Sequence, residues 1–215
     1  MQKFKNIAFF LFFSILPFAK SASVRQTNTQ LPHLIDQDEA SVVVNNQTFI
    51  PSISMQDIND RIKALGKQIT QDYQGTLPLV IGVLKGAVFF FTDLTREITI
   101  PIEMDFLKIS SYNGTRSSGK IQMVDGLSSS VTNRDVIIVE DIIDSGLSMI
   151  FLRNFINQQN PKSLRIATLL KKDHVKLDFP IDYVGFEISP DFVVGYGLDF
   201  DQKGRNLKAI YKLAS

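Results

Sequence analysis

No cysteine occurs in the 215 residues, which excludes disulfides, a thiolate nucleophile and a cysteine-ligated zinc, although it identifies no compartment. A strong net charge is missing too. The formal charge is +1, and three of the 23 basic residues, Lys3, Lys5 and Lys20, lie among the first 21 residues with no acid beside them. The rest of the chain therefore carries 20 basic against 22 acidic residues, a net charge of −2. A near-neutral body argues against a nucleic-acid surface as the main function. Histidine is scarce, present as His33 and His174, and there is no internal repeat or low-complexity tract. What the chain does have is 44% hydrophobic residues, enough for one well-buried domain and too short a length for two large ones.

The first residues stand apart from that body. Met1-Gln2-Lys3-Phe4-Lys5 is a short basic start, Ile7 to Ala19 is apolar and rich in phenylalanine, and Ala19-Lys20-Ser21 places small residues where a signal peptidase cuts. Residues 1–21 thus resemble a secretory signal peptide and are short for a membrane span. An uncleaved anchor, or a start codon upstream of the true one, are the alternatives. Residues 22–39 are polar and aperiodic and read as a linker. The folded domain is expected over 40–215.

Within that domain strands and helices alternate, which predicts an α/β fold with a mostly parallel sheet and right-handed crossovers. Ser54 with Asp57 three residues on looks like a helix start, and Ile58, Ile62, Leu65 and Ile69 then recur at helical spacing as far as Tyr73. Strands are expected at Leu79–Leu84, Ile102–Ser110, Val136–Val139 and Leu164–Leu170, with helices over Ala87–Ile98 and from Ser148. Short strands near Tyr183–Ile188 and Val193–Tyr196 need not belong to the main sheet. Ser111 to Lys120, with two glycines and little apolar character, reads as a mobile loop or hairpin tip.

The densest chemical signal is at residues 136–148, Val-Ile-Ile-Val-Glu-Asp-Ile-Ile-Asp-Ser-Gly-Leu-Ser. An uninterrupted β-branched run suits a strand buried on both faces of a parallel sheet, and such sheets place ligands beyond the strands' carboxyl ends. Glu140 and Asp141 are therefore expected at a ligand-binding edge. Asp144-Ser145-Gly146-Leu147-Ser148 follows as a turn into a helix, where free N–H groups attract an anion such as phosphate. Phosphate donors on one side and carboxylate acceptors for hydroxyls on the other suit a phosphorylated ribose.

This stretch resembles the ribose-phosphate element of the type I phosphoribosyltransferases. Further stretches in the family's order are similar to the hypoxanthine/guanine branch: Gly82-Val83-Leu84-Lys85-Gly86, Ser110-Ser111-Tyr112, Asp182-Tyr183-Val184-Gly185-Phe186-Glu187-Ile188, Phe192-Val193-Val194-Gly195-Tyr196-Gly197-Leu198-Asp199, and Arg205-Asn206-Leu207. The resemblance runs from about Ser54 to about Leu213. It implies the type I phosphoribosyltransferase fold, a twisted, mostly parallel sheet flanked by helices with a small hood over the base.

It also implies the reaction, transfer of a phosphoribosyl group from phosphoribosyl pyrophosphate to a 6-oxopurine, with Mg2+ as cofactor and no nucleic-acid partner. Glu140 and Asp141 would meet the ribose hydroxyls and, with Asp199, serve the metal. Asp144 would be the general base, and Asp144 through Ser148 would bind the 5-phosphate, with Leu147 where some relatives have lysine. Leu84-Lys85-Gly86, through a cis bond between the first two, and Arg205 would hold pyrophosphate. Lys172 would approach the purine 6-oxo group, Phe192 would stack on the ring, and Val193 would present its backbone to the base. Ser111 and Tyr112 would begin a closing loop. Read in isolation, Lys172 is one of a solvated lysine pair, Phe192 is core packing and Asp144 is a helix cap. A homodimer or homotetramer in the cytoplasm is implied, with export the alternative that residues 1–21 raise. Two other functions stay open: a xanthine-preferring enzyme, and a regulator that senses phosphoribosyl pyrophosphate.

Overall fold

The computed structural model describes residues 40–111 and 121–214, all within one compact unit spanning Ile35–Ser215. The expected signal-like segment and linker, and Tyr112 with most of the expected mobile loop, lie outside the described residues. Among the described residues no helix is long and apolar enough to cross a membrane.

The main sheet has six strands: β3 (Leu79–Leu84), β4 (Glu103–Ser111), β5 (Ile121–Asp125), β6 (Asp135–Ile143), β7 (Ser163–Lys172) and β8 (Tyr183–Ile188). They lie in the order β5-β4-β3-β6-β7-β8. All neighbours are parallel except β4 and β5. Three helices cover it: α1 (Met55–Asp72), α2 (Val88–Glu97) and α3 (Leu147–Asn157).

Strand alternation explains the layering. Ile137 and Val139 of β6 join Val80, Ala167 and Leu169 against Ile58, Ile62, Leu65 and Ile69 of α1 and Phe90, Phe91 and Leu94 of α2. Val136 and Ile138 face the other way, with Leu79, Ile81 and Leu107, against Met149, Leu152 and Ile156 of α3. Each central strand is buried on both faces, so it reads as a continuous apolar run. The α1 start is capped as its sequence predicts, the Ser54 hydroxyl accepting from the Asp57 N–H at 3.1 Å.

A second, antiparallel sheet of four strands lies in the order β1-β2-β10-β9, formed by β1 (Val42–Val44), β2 (Gln47–Ile53), β9 (Val193–Val194) and β10 (Ile210–Leu213). Its buried residues include Val44, Phe49, Val194, Ala209 and Tyr211, while Val193, Tyr196, Leu198 and Ile210 join the core above α1 and α2.

The structure settles one expectation and corrects another. Tyr183–Ile188, which the sequence leaves free to lie outside the main sheet, is its edge strand, parallel to β7. The Arg61 guanidinium, donating to the carbonyls of Val184 and Gly185 at 2.6 and 2.9 Å, ties that edge to α1. The strand expected to stop at Val139 runs on to Ile143. Pairing with β7 carries it there, from Glu140 opposite Thr168 to Ile143 opposite Lys171.

Candidate active site

The extension of β6 creates the site. β3 and β6 pair only as far as Gly82 opposite Val139, while β3 follows β4 to Leu84 and β6 follows β7 to Ile143. The sheet forks at the point where strand order reverses, the position at which parallel α/β sheets bind ligands. Glu140 and Asp141 thus lie in the mouth of the fork rather than past a strand end.

Two cavities open there. One, of about 240 Å³, is lined by Asp141, Ile142, Asp144, Lys172, Phe192, Val193, Leu198 and Asp199. The other, of about 250 Å³, is lined by Glu140, Ile142 to Gly146, Ser148 and Met149. They share Ile142 and Asp144, so the carboxylates and the turn before α3 stand between a mixed polar and apolar hollow and a helix start. Gly146 precedes that helix with φ of +81° and supplies no side-chain cap; the Leu147 N–H meets the Ser145 hydroxyl at 3.5 Å, and Gly146, Ser148 and Met149 at this helix start line the second cavity. Leu147 is 48% exposed.

Burial decides the electrostatics of the acidic pair. Glu140 is 8% exposed, and its Oε2 has no hydrogen-bond partner. Burial, then the charge of Asp141, pushes its carboxyl well above the usual range. Asp141 is also raised by burial, against the pull of hydrogen bonds and of the Arg205 guanidinium. An orphaned buried acceptor beside a second acid calls for donors and for positive charge beyond that of Arg205. Sugar hydroxyls and a hard divalent cation would supply them. Among the described residues no three acidic or histidine side chains converge as a metal cage, so a cation here would take most of its ligands from substrate oxygens and water.

Gly86 abuts this pair. A Cβ on Gly86 would fall 1.7 Å from Asp141 Oδ2, so any side chain there would displace the carboxylate or the turn. The Leu84–Lys85 peptide is cis, as the resemblance implies. Lys85 donates to Gln202 Oε1 at 3.3 Å. Gly197, at φ +101°, packs on Gly86 so closely that its own Cβ would lie 2.0 Å from the Gly86 carbonyl oxygen. Arg205 donates from Nη1 to the Gly197 carbonyl at 2.6 Å and pairs through Nη2 with Asp199 Oδ1 at 2.5 Å. Asp199 Oδ2 also accepts from the Gln202 N–H at 2.7 Å. Asp199 and Arg205, expected at metal and pyrophosphate separately, are here partners.

On the hood side, Lys172 is not a solvated lysine. It is 3% exposed, donates to the Asp191 carbonyl and lies 3.9 Å from Asp144 Oδ1. Phe192 is not core either. Its ring is 46% exposed at the cavity, backed edge-on by Phe200 at 5.4 Å and by Phe49 at 6.2 Å. The Asp144 side chain is 72% exposed, with neither oxygen engaged as a cap of α3. Ser111 ends β4. Of the expected set, Asp141, Asp144, Lys172, Phe192, Val193 and Asp199 line the first cavity, Glu140, Asp144, Ser145, Gly146 and Ser148 line the second, Gly86 abuts Asp141, and Arg205 pairs with Asp199. Sequence reasoning missed Ile142 and Leu198 as lining, the Asp191 carbonyl that holds Lys172, and the backing rings Phe49 and Phe200. Leu198 and Phe200 flank a motif acid, so position alone could have flagged them.

Comparison with known proteins agrees with this geometry. The phosphoribosyl transferase domain model matches residues 54–201. The hypoxanthine-guanine phosphoribosyltransferase of Bacillus subtilis (strain 168) is 48% identical over 160 residues, 74% of this chain and 89% of that protein. The protein of the same name from Mycobacterium tuberculosis is 46% identical over 166 residues, covering 74% and 82%. Among solved structures, a hypoxanthine-guanine phosphoribosyltransferase from Bacillus anthracis aligns with a TM-score of 0.71 at 41% identity over 76% of this chain and 97% of that one. Hypoxanthine phosphoribosyltransferase from Trypanosoma cruzi, solved with the product IMP, aligns with a TM-score of 0.72 at 34% identity over 80% and 97%. Enzymes of this family generally need a divalent metal. With a forked parallel sheet, a phosphate-ready turn and relatives of this similarity, the chain belongs to the phosphoribosyltransferase family, in its hypoxanthine-guanine branch.

Proposed function

We propose that this chain transfers the 5-phosphoribosyl group of phosphoribosyl pyrophosphate to N9 of hypoxanthine and guanine, giving IMP or GMP and pyrophosphate, in purine salvage. The observation that carries the reading is the fork itself. Buried Glu140 and half-buried Asp141 stand between a cavity at the start of α3 and a cavity walled by Lys172 and Phe192.

In this assignment the N–H groups and hydroxyls from Asp144 to Ser148 take the 5-phosphate, and Glu140 and Asp141 accept from the ribose hydroxyls. Leu84 to Gly86 and Arg205 hold the pyrophosphate, the Arg205 fork suiting its oxygens once it parts from Asp199. Phe192 stacks on the purine, Val193 offers its backbone to the base edge, and the Lys172 ammonium donates to the 6-oxo oxygen. A 6-amino group would present donors there instead, which selects against adenine. As N9 bonds to C1, the C1–O bond breaks and its electron pair leaves with pyrophosphate, while Asp144 accepts the proton that N7 loses. Holding the three parts in line supplies much of the rate. Glu140, Asp141 and, through water, Asp199 would hold Mg2+, which neutralises charge on the leaving group when bound.

Phosphoribosyl pyrophosphate is a charged metabolite made inside cells, which supports a cytoplasmic enzyme, and the resemblance supports a homodimer or homotetramer. The test is a spectrophotometric assay of protein lacking residues 1–21 with hypoxanthine, guanine and xanthine, with and without Mg2+. Turnover of the first two that depends on Mg2+ is expected. Preference for xanthine would move the specificity, and no turnover of any base would refute the proposal.

A further inference from the structure

The longest run of positive φ among the described residues is Gly195-Tyr196-Gly197, at 101°, 47° and 101°. Glycine enters this region freely and a bulky aromatic residue does not, so Tyr196 must be held there by its surroundings. Its N–H donates to the Leu207 carbonyl at 2.8 Å. Its ring, 7% exposed, packs 6.1 Å from that of Phe89. Its hydroxyl donates to Asp93 Oδ2 on α2 at 2.5 Å, a contact that spans 103 residues of sequence. Burial, and then the facing carboxylate, push the phenol far above its usual range, which keeps it a donor.

The neighbours of Tyr196 give this attachment a consequence. Immediately after it, Gly197 packs on the Gly86 carbonyl and exchanges two hydrogen bonds with Arg205, the Gly197 N–H donating to the Arg205 carbonyl at 2.9 Å and the guanidinium donating back. Two residues further on, Asp199 holds the other guanidinium nitrogen. α2, which carries Asp93, directly follows Leu84-Lys85-Gly86. The hydroxyl therefore ties the hood segment bearing Arg205 to the helix that extends the opposite, glycine-containing arm.

We infer that the Tyr196–Asp93 hydrogen bond sets the spacing between the two arms of the pyrophosphate site, and that both are positioning residues for pyrophosphate. The inference rests on the function proposed above. The base side of the hood has its own supports, the Lys172 bond to Asp191 and the rings behind Phe192, so loss of the latch should separate the two substrates.

The test compares Tyr196→Phe, Asp93→Ala and Asp93→Asn for KM of phosphoribosyl pyrophosphate, KM of pyrophosphate in the reverse reaction with IMP, KM of hypoxanthine, and Tm. Loss of a hydrogen bond to a charged group should raise the first two constants about tenfold in Tyr196→Phe and Asp93→Ala, and leave that of hypoxanthine within about twofold. Asp93→Asn, whose amide oxygen still accepts from the hydroxyl, should stay within about threefold of the parent. The double variant Tyr196→Phe/Asp93→Ala should be no worse than either single one. Equal rises for all substrates, or an unchanged pyrophosphate KM in Tyr196→Phe, would overturn the latch. Should Tyr196→Phe fail to fold, the Asp93 pair makes the same comparison. An unsubstituted protein without turnover would overturn the proposed function instead, so the two failures are distinct.

Discussion

Gly86→Ala tests the fork most directly. Gly86 has no positive φ, so alanine suits its backbone and the effect falls on what the new methyl touches. That methyl would lie 1.7 Å from Asp141 Oδ2 and 2.5 Å from Asp141 Cγ, against an ordinary contact of 3.4 Å or more. Either the carboxylate or the turn must give way by about 1.7 Å. A misplacement of about 1 Å at a reacting centre can cost about a hundredfold in rate, equivalent to about 2.7 kcal/mol. The kcat/KM for phosphoribosyl pyrophosphate should therefore fall at least about a hundredfold. Overpacking should cost about 1–3 kcal/mol of stability, which calorimetry would read as a Tm lower by several degrees. Adding Asp141→Ala removes the obstructing carboxylate, so the double variant should recover Tm without recovering turnover. If Gly86→Ala kept kcat/KM within about threefold of the parent, the position of Asp141 against this turn would not matter, and the assignment of both to one site would be wrong.

Asp144→Asn should lower kcat by about a hundredfold or more, the usual share of a positioned acid or base, while KM for phosphoribosyl pyrophosphate stays close to the parent value; full activity would remove Asp144 as the base. Lys172→Ala should raise KM for hypoxanthine by about 10- to 100-fold, as expected for a charged hydrogen bond, with a much smaller change for the sugar phosphate. Equal losses for both ligands would contradict the hood assignment. The raised carboxyls of Glu140 and Asp141 mean that the folded protein binds more protons than the unfolded chain above the ordinary carboxylate range. The pair's contribution to stability is thus full below that range and declines as pH climbs toward the raised values. Tm of ligand-free protein, followed from about pH 4 to about pH 8, should decline less in Glu140→Gln than in the parent; parallel curves would show that the pair does not titrate in this window.

How much of this could be read from the residues depended on whether the deciding forces were local. The strand Leu79–Leu84 was legible to the residue because a continuous apolar run bounded by Pro78 and Lys85 leaves few other options. The start of α1 was legible because Ser54 and Asp57 satisfy each other across a single turn. The hood strands β1 and β2 were not assigned, although Val42–Val44 followed by Asn45-Asn46 carries a hairpin signal. Both asparagines have positive φ, 49° and 62°, the backbone that a tight antiparallel turn requires. Partners for that hairpin come from residues 193–194 and 210–213 at the far end of the chain, and no local periodicity announces them.

The site divides in the same way. Adjacent carboxylates and a glycine turn announce a sugar phosphate from sequence alone, because each group's chemistry travels with its residue type. Burial does not travel that way. Lys172 and Phe192 looked ordinary because nothing nearby in sequence distinguishes a lysine sealed at 3% exposure from one in water, or a phenylalanine left 46% open from one in the core. Their roles are set by the fork, and the fork exists because β6 continues along β7 after leaving β3. Acidic residues at Glu140 and Asp141 would usually end a buried strand. Here the ladder to β7 holds the backbone extended while the departure of β3 opens the cleft in which the two acids meet Gly86 and the cavities, so the polar interruption in the apolar run is itself the mark of the binding crevice.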